Sequence, residues 1–171
     1  YNMPPVYPVY NEDGSYFTAA NQNYDQGNPV QNQDLNYKKS SNNYFYGSGD
    51  VQFTIMDGLT TKVQLYKSRF NSDYSEWQDP STSRGYNGLA IRRNRLWDRN
   101  LLEWTANYNK AFGSEEQHKI DAIIGYSWEN NLYADQYAEA TNFAVSSMGA
   151  DNIQTGNTLK IGDVTSSRNE Y

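Results

Sequence analysis

The chain has no cysteine among its 171 residues and only one histidine, His118. The lack of cysteine excludes a disulfide framework and a thiolate metal site, and a single histidine is too few for a typical zinc centre. No run of eighteen apolar residues occurs and the mean hydropathy is −0.93, which excludes membrane-spanning helices. No glycine-rich phosphate loop and no marked Ser–His–Asp set is present. We therefore expect no enzyme, no catalytic residue, no cofactor and no metal.

The charge and the aromatic content further narrow the class of protein to which this chain could belong. The chain carries 14 basic and 20 acidic residues, for a net charge of −6, which gives no reason to expect a nucleic-acid partner. Aromatic residues make up 15%, with 16 Tyr and 4 Trp. This aromatic content argues against a disordered chain despite the low hydropathy.

Strict alternation of apolar and polar residues is the most informative pattern present. Between 45 and 55 the odd positions hold Phe, Gly, Gly, Val, Phe and Ile, and the even positions hold Tyr, Ser, Asp, Gln and Thr. Weaker copies occur at 61–66, 101–109 and 119–129. Period two predicts half-buried strands, and about eleven residues is near the length that a tilted strand needs to cross a bilayer.

Two architectures share this alternation, a soluble antiparallel sheet and a membrane barrel. The barrel is favoured because Trp104 and Tyr108, and then Tyr126 and Trp128, end the apolar faces, as aromatic residues do at membrane interfaces. A short connection at Asp57–Gly58 and another near Phe112 alternate with long ones, as in outer-membrane barrels.

The predicted fold is all-β, with about four antiparallel strands of a transmembrane β-barrel and long extracellular loops. Its predicted segments are an extracellular loop at 1–43, a first hairpin at 44–77, an extracellular loop at 78–100, a second hairpin at 101–130, and an extracellular loop with the start of the next strand at 131–171. Four strands cannot close a barrel, and no initiator Met or signal peptide is present, so we expect a piece of a larger protein.

Four segments carry a resemblance to a known family. They are Pro8–Tyr16, Asn28–Val30, Leu101–Gly113 and His118–Glu129, which resemble in order the "PVYNxDGSY", "NPV", "NLLEWTxNYNKxFG" and "HxxxAxxGYSxE" stretches of SusC-like TonB-dependent transporters. The resemblance covers almost the whole chain. The plug, the TonB box and the remaining strands of that family have no counterpart here, so its energy-coupling residues map to no position.

The resemblance implies a 22-stranded barrel in the outer membrane of a Gram-negative bacterium that imports oligosaccharides or peptides. It also implies a SusD-like surface lipoprotein as partner, TonB acting through the absent plug, and contact with outer-membrane lipid and lipopolysaccharide. The alternative hypothesis is a secreted soluble β-sandwich that binds glycans. The orientation of Phe53, Ile55, Trp104 and Ile124 discriminates between them, because a sandwich packs such side chains against a second sheet.

Loop aromatics and arginines are the candidate substrate or partner contacts. The arginines of 79–100 suit phosphates of lipopolysaccharide or an acidic partner, and equally suit a solvated loop with local acidic partners. The aromatics suit stacking on sugars, and equally suit packing of loops. The candidate contact residues are Trp77, Tyr86, Arg92, Arg93, Trp97, Tyr133 and Tyr137.

Overall fold

The computed structural model describes residues 7–17, 28–82, 87–113, 117–145 and 149–171. These residues form one antiparallel sheet of five strands, each paired with the next in sequence. The strands are β1 (Tyr37–Met56), β2 (Leu59–Gln78), β3 (Leu89–Phe112), β4 (His118–Thr141) and β5 (Thr158–Glu170). The prediction of an all-β antiparallel fold is confirmed.

Two short helices accompany the sheet, α1 (Pro29–Leu35) before β1 and a 3-10 helix (Ala150–Thr155) before β5. Asn28 starts α1 because its side chain accepts from the backbone N–H of Val30 at 3.1 Å, while Pro29 supplies a fixed φ at the first turn. In the described part of the chain, no helix is both long and apolar enough to cross a membrane.

The strands are longer than the alternation predicts, which corrects the segment boundaries. β3 begins at Leu89, so the predicted loop 78–100 is wrong from that residue onward, and the arginines after it lie on a strand. β1 begins at Tyr37 inside the predicted loop 1–43, and β4 extends past 130 to Thr141. β5 is a full strand of 13 residues. The extensions of β1 and β3 carry polar residues on both faces, so period two is lost there while backbone pairing continues.

The connection between β1 and β2 is a tight turn at Asp57–Gly58. Gly58 has a φ of +81°, and a Cβ there would lie 2.5 Å from the carbonyl oxygen of Asn109, so only glycine fits. The Asn109 N–H donates to the Gly58 carbonyl at 2.7 Å. The predicted turn is therefore present and packs against the end of β3.

The chain divides into two compact units. Unit 1 comprises 1–41, 73–94 and 136–163, and unit 2 comprises 42–72, 95–135 and 164–171. Unit 1 has a small core in which Trp77 and Phe143 meet edge to face, with ring centroids 4.8 Å apart. Three buried alanines complete this core: Ala90, Ala140 and Ala150.

Unit 2 is organised differently, because none of its described residues is a buried hydrophobic side chain. One face of its strands, here called the apolar face, carries large apolar side chains with exposed fractions of 49–64%: Val51, Phe53, Ile55, Leu65, Ile120, Ile124 and Tyr126. The opposite, polar face carries ion pairs between strands, including Lys62 with Asp50 at 3.5 Å and Arg99 with Glu129 at 2.8 Å. The described part of unit 2 thus exposes its large apolar side chains and does not bury them in a core of its own.

Candidate functional site

A row of four aromatic rings crosses the polar face of unit 2, with one ring from each of four consecutive strands. Tyr44 of β1 lies 4.4 Å from Phe70 of β2, centroid to centroid, and Phe70 lies 5.0 Å from Trp97 of β3. Trp97 lies 5.0 Å from Tyr133 of β4. These spacings match the separation of about 4.8 Å between paired strands, so the rings follow the hydrogen-bonding direction of the sheet. We call this set the aromatic row.

The aromatic row forms one wall of an open groove of about 440 Å³. Tyr44 is 78% exposed and Trp97 is 40% exposed, so ring surface is available to a ligand. Polar residues of the same face surround the rings: Ser68, Arg99, Asn131, Ser166 and Arg168. The groove therefore combines apolar ring faces with hydroxyl, amide and guanidinium groups.

Each guanidinium that lines the groove has a carboxylate near it. Arg99 donates to Glu129 at 2.8 Å, and Arg168 pairs with Glu170 at 2.7 Å. Because these charges are paired, the groove favours an uncharged ligand over a strongly acidic one.

Trp97 and Tyr133 are the two predicted contact residues that the structure brings together in this groove. Tyr44 and Phe70 complete the row and were not among the predicted contacts. Strand pairing at the Asp57–Gly58 turn places Tyr44 across from Phe70, so the register of the first hairpin was the signal that could have found them.

Three other predicted residues, Arg92, Arg93 and Tyr137, line a second groove of about 510 Å³ in unit 1. Arg92 donates to Asp151 at 2.7 Å, so at least one of these arginines is paired with a local acid. Tyr137 is 38% exposed, and its ring covers Gly162 on β5. This arrangement resembles the covering of a strand glycine by a neighbouring aromatic ring, which is a stabilising device of sheets.

The remaining two predicted contacts are Trp77 and Tyr86. Trp77 is only 3% exposed because it packs against Phe143 in the core of unit 1, so its prediction as a contact residue is wrong. Burial of a tryptophan side chain removes a large apolar area from water, which favours the buried position of Trp77 near the end of β2. Tyr86 lies outside the described residues.

A buried carboxylate in unit 1 has a complete set of partners. Glu76 is 6% exposed, accepts from Tyr74 Oη and from Gln78 Nε2 at 2.9 Å, and lies 3.0 Å from Lys38 Nζ. Burial opposes its ionisation, but the hydrogen bonds and the charge of Lys38 outweigh burial and lower the pKa of Glu76. The same hydrogen bond, together with burial, raises the pKa of Tyr74 to about 12.

The described residues include no group of three or more His, Cys, Asp or Glu side chains that could hold a metal ion. The Glu76 cluster is satisfied by its own neighbours and has the character of a structural ion pair. Comparisons of the chain with protein-family models and with curated proteins gave no match.

Proposed function

We propose that this chain forms part of the wall of an outer-membrane β-barrel that imports nutrients into a Gram-negative bacterium, with oligosaccharides or peptides as substrates. The observation that carries the proposal is the apolar face of unit 2. Its large side chains are about half exposed or more, while the described residues of unit 2 bury no hydrophobic side chain. A lipid environment explains such a face, because hydrocarbon removes it from water without a protein core.

The edge strands of the sheet support the same proposal. In the described sheet, β1 and β5 are the edge strands, and each pairs with one neighbouring strand. The backbone N–H and C=O groups on the outer side of an edge strand need partners from elsewhere. In a bilayer these groups must be paired, and additional strands that close a barrel supply the partners. We propose that the short turn of each hairpin is periplasmic and that the connections at 79–88 and 142–157 are extracellular.

The aromatic row and its groove are the proposed substrate surface on the lumen side. The electron-rich face of an aromatic ring attracts C–H groups of a sugar ring, and the surrounding amide and hydroxyl groups can bond to its hydroxyls. The resemblance to SusC-like transporters extends the proposal to two partners, a SusD-like surface lipoprotein and TonB acting through a plug domain.

The alternative, a secreted soluble β-sandwich that binds glycans, is favoured less. A sandwich requires a second sheet against the apolar face. The exposed fractions of Phe53, Ile55 and Ile124 are 58%, 59% and 64%. Trp104, the fourth residue of this comparison, is half-buried, and its indole N–H donates to Thr61 Oγ1 at 2.8 Å on the neighbouring strand. The exposure of the first three side chains supports a lipid-facing surface.

Matched tyrosine variants on one strand test the substrate surface. Tyr133 belongs to the aromatic row, whereas Tyr126 of β4 belongs to the apolar face. In cells that carry the full protein, we expect Tyr133→Ala to reduce uptake of a labelled neutral oligosaccharide series, and Tyr126→Ala to leave uptake largely unchanged at equal surface abundance. Equal uptake by Tyr133→Ala and the parent protein, for both neutral oligosaccharides and neutral peptides, would remove the groove from the proposed transport route.

A further inference from the structure

A ladder of polar side chains crosses the apolar face of unit 2 at a single level. Lys67 Nζ of β2 donates to Asn100 Oδ1 of β3 at 2.8 Å, and Asn100 Nδ2 donates to Asn130 Oδ1 of β4 at 3.5 Å. Asn130 Nδ2 then donates to Asn169 Oδ1 of β5 at 2.7 Å. Asn100 and Asn130 each accept with the side-chain oxygen and donate with the side-chain nitrogen, so the bonds run in one direction across four strands. We call these four residues the polar ladder.

The polar ladder stands where the chemistry of the apolar face changes. On β2 the positions that alternate on this face are Leu59, Thr61, Val63 and Leu65, and after the ladder residue Lys67 they are Arg69, Asn71, Asp73 and Ser75. On β4 the run of Ile120, Ala122, Ile124, Tyr126 and Trp128 stops directly before Asn130. Trp128 therefore adjoins the ladder, where an interfacial aromatic residue is expected.

The distance from the ladder to the short turns fits a bilayer. Nine residues separate Lys67 from Gly58 on β2, and twelve separate His118 from Asn130 on β4. At about 3.4 Å per residue and a tilt of about 40°, these lengths span roughly 23–31 Å, against an apolar band of about 25 Å in outer-membrane barrels. β2 has 20 residues and β4 has 24, so each strand continues well past this distance.

Lys67 and Arg69 give the ladder its charge. The side chain of Lys67 is 40% exposed and that of Arg69 is 57% exposed, while Asp98, which contacts both, is 13% exposed. Two exposed cations thus share one largely covered carboxylate on the outward side of the sheet. This excess of positive charge complements the phosphates of a lipid headgroup layer.

We propose that the polar ladder is the surface that contacts the headgroup layer of the outer leaflet. It fixes the depth of the sheet, so that the strand segments between the ladder and the short turns cross the hydrocarbon and the segments after the ladder extend into water. This inference rests on the proposed function, since it requires that the apolar face meets lipid.

Depth measurement along the apolar face of β2 tests the inference by single-cysteine labelling. Residues 1–171 contain no cysteine, and any cysteine elsewhere in the full protein would first be replaced by serine. We would introduce Val63→Cys, Leu65→Cys, Arg69→Cys or Asn71→Cys into the full protein in phosphatidylcholine vesicles, with Gln64→Cys as the control on the polar face. Each cysteine would carry a bimane label, and quenching by an acyl-chain nitroxide lipid would be compared with quenching by a headgroup nitroxide lipid and by aqueous iodide.

The expected ratio of acyl-chain to headgroup quenching is above one at 63 and 65 and below one at 69 and 71, where iodide also quenches. Weak acyl-chain quenching at 63 and 65, equal to that at 64, would contradict the proposed function itself. Strong acyl-chain quenching that continues through 69 and 71 would keep the membrane-facing surface and overturn the ladder as its boundary. A folded sample is identified in each case by its heat-modifiable mobility in gel electrophoresis.

Discussion

Ile123 and Ile124 are adjacent on β4, and the matched arginine variants at these positions are predicted to differ strongly in stability. Both side chains are well exposed, at 72% and 64%, but they point to opposite faces of the strand. Ile124 belongs to the apolar face and Ile123 to the polar face. Both variants therefore replace an isoleucine with an arginine, at two adjacent positions of one strand.

The magnitude follows from the position of Ile124 along the strand. It lies six residues before Asn130 of the polar ladder and seven after Gln117 at the short turn, which places it near the middle of the proposed span. An arginine on the lipid face near the midplane costs about 2–4 kcal/mol. Ile123→Arg is expected to cost less than about 1 kcal/mol, because a side chain on the lumen face remains in water.

The assay is reversible unfolding of the full barrel in phospholipid vesicles, with the folded fraction measured by tryptophan fluorescence across a denaturant titration. Ile124→Arg should shift the free energy of unfolding by the stated amount, and Val51→Arg should behave in the same way, with Gln52→Arg as its control. Equal losses at Ile123 and Ile124 would refute the assignment of one face to lipid and the other to water.

Three further predictions concern packing, pH and folding. Gly156→Ala should lower the free energy of unfolding by about 1–3 kcal/mol, because the new Cβ would lie 2.8 Å from the Ala140 Cβ in a filled core. Gly49→Ala is the control: its Cβ would have no atom within 4 Å, so thermal unfolding should show no measurable loss of stability. Stability should fall as the pH drops through the lowered pKa of Glu76. It should fall again as the pH rises from about 10, the unfolded pKa of tyrosine, to about 12, the folded pKa of Tyr74, and Tyr74→Phe should reduce this alkaline slope in the unfolding midpoint. Residues 1–171 alone should aggregate or need detergent, because β1 and β5 each have only one neighbouring strand in the described sheet. A monodisperse monomer with a cooperative melt, measured by light scattering and circular dichroism, would contradict the barrel proposal.

Strand identity was predicted from the sequence wherever one face of the strand is apolar. The alternation at 45–55 and 119–129 predicted the halves of β1 and β4 that adjoin the short turns, and the Asp57–Gly58 turn predicted the first hairpin. The prediction failed at 89–100, where Arg92 and Arg93 were assigned to a loop. Both faces of β3 carry polar groups there, so the strand is held by backbone hydrogen bonds to its neighbours, which leave no pattern in the side chains.

The candidate site could also be predicted only in part from the sequence. Trp77 and Trp97 are both aromatic residues on polar stretches, and the sequence offered no means to separate them. One is 3% exposed against Phe143, and the other is 40% exposed in the aromatic row. The difference depends on which distant segment packs against each ring.

The sequence by itself determined the all-β class and the strand faces, because period two is a local property of the backbone that each short segment expresses on its own. The tertiary structure decided the aromatic row and the polar ladder. Tyr44, Phe70, Trp97 and Tyr133 lie far apart along the chain and meet only because turns and backbone hydrogen bonds fix the register between strands. A shift of one residue in that register would send each ring to the opposite face, so these contacts belong to the pairing of strands and not to any single segment.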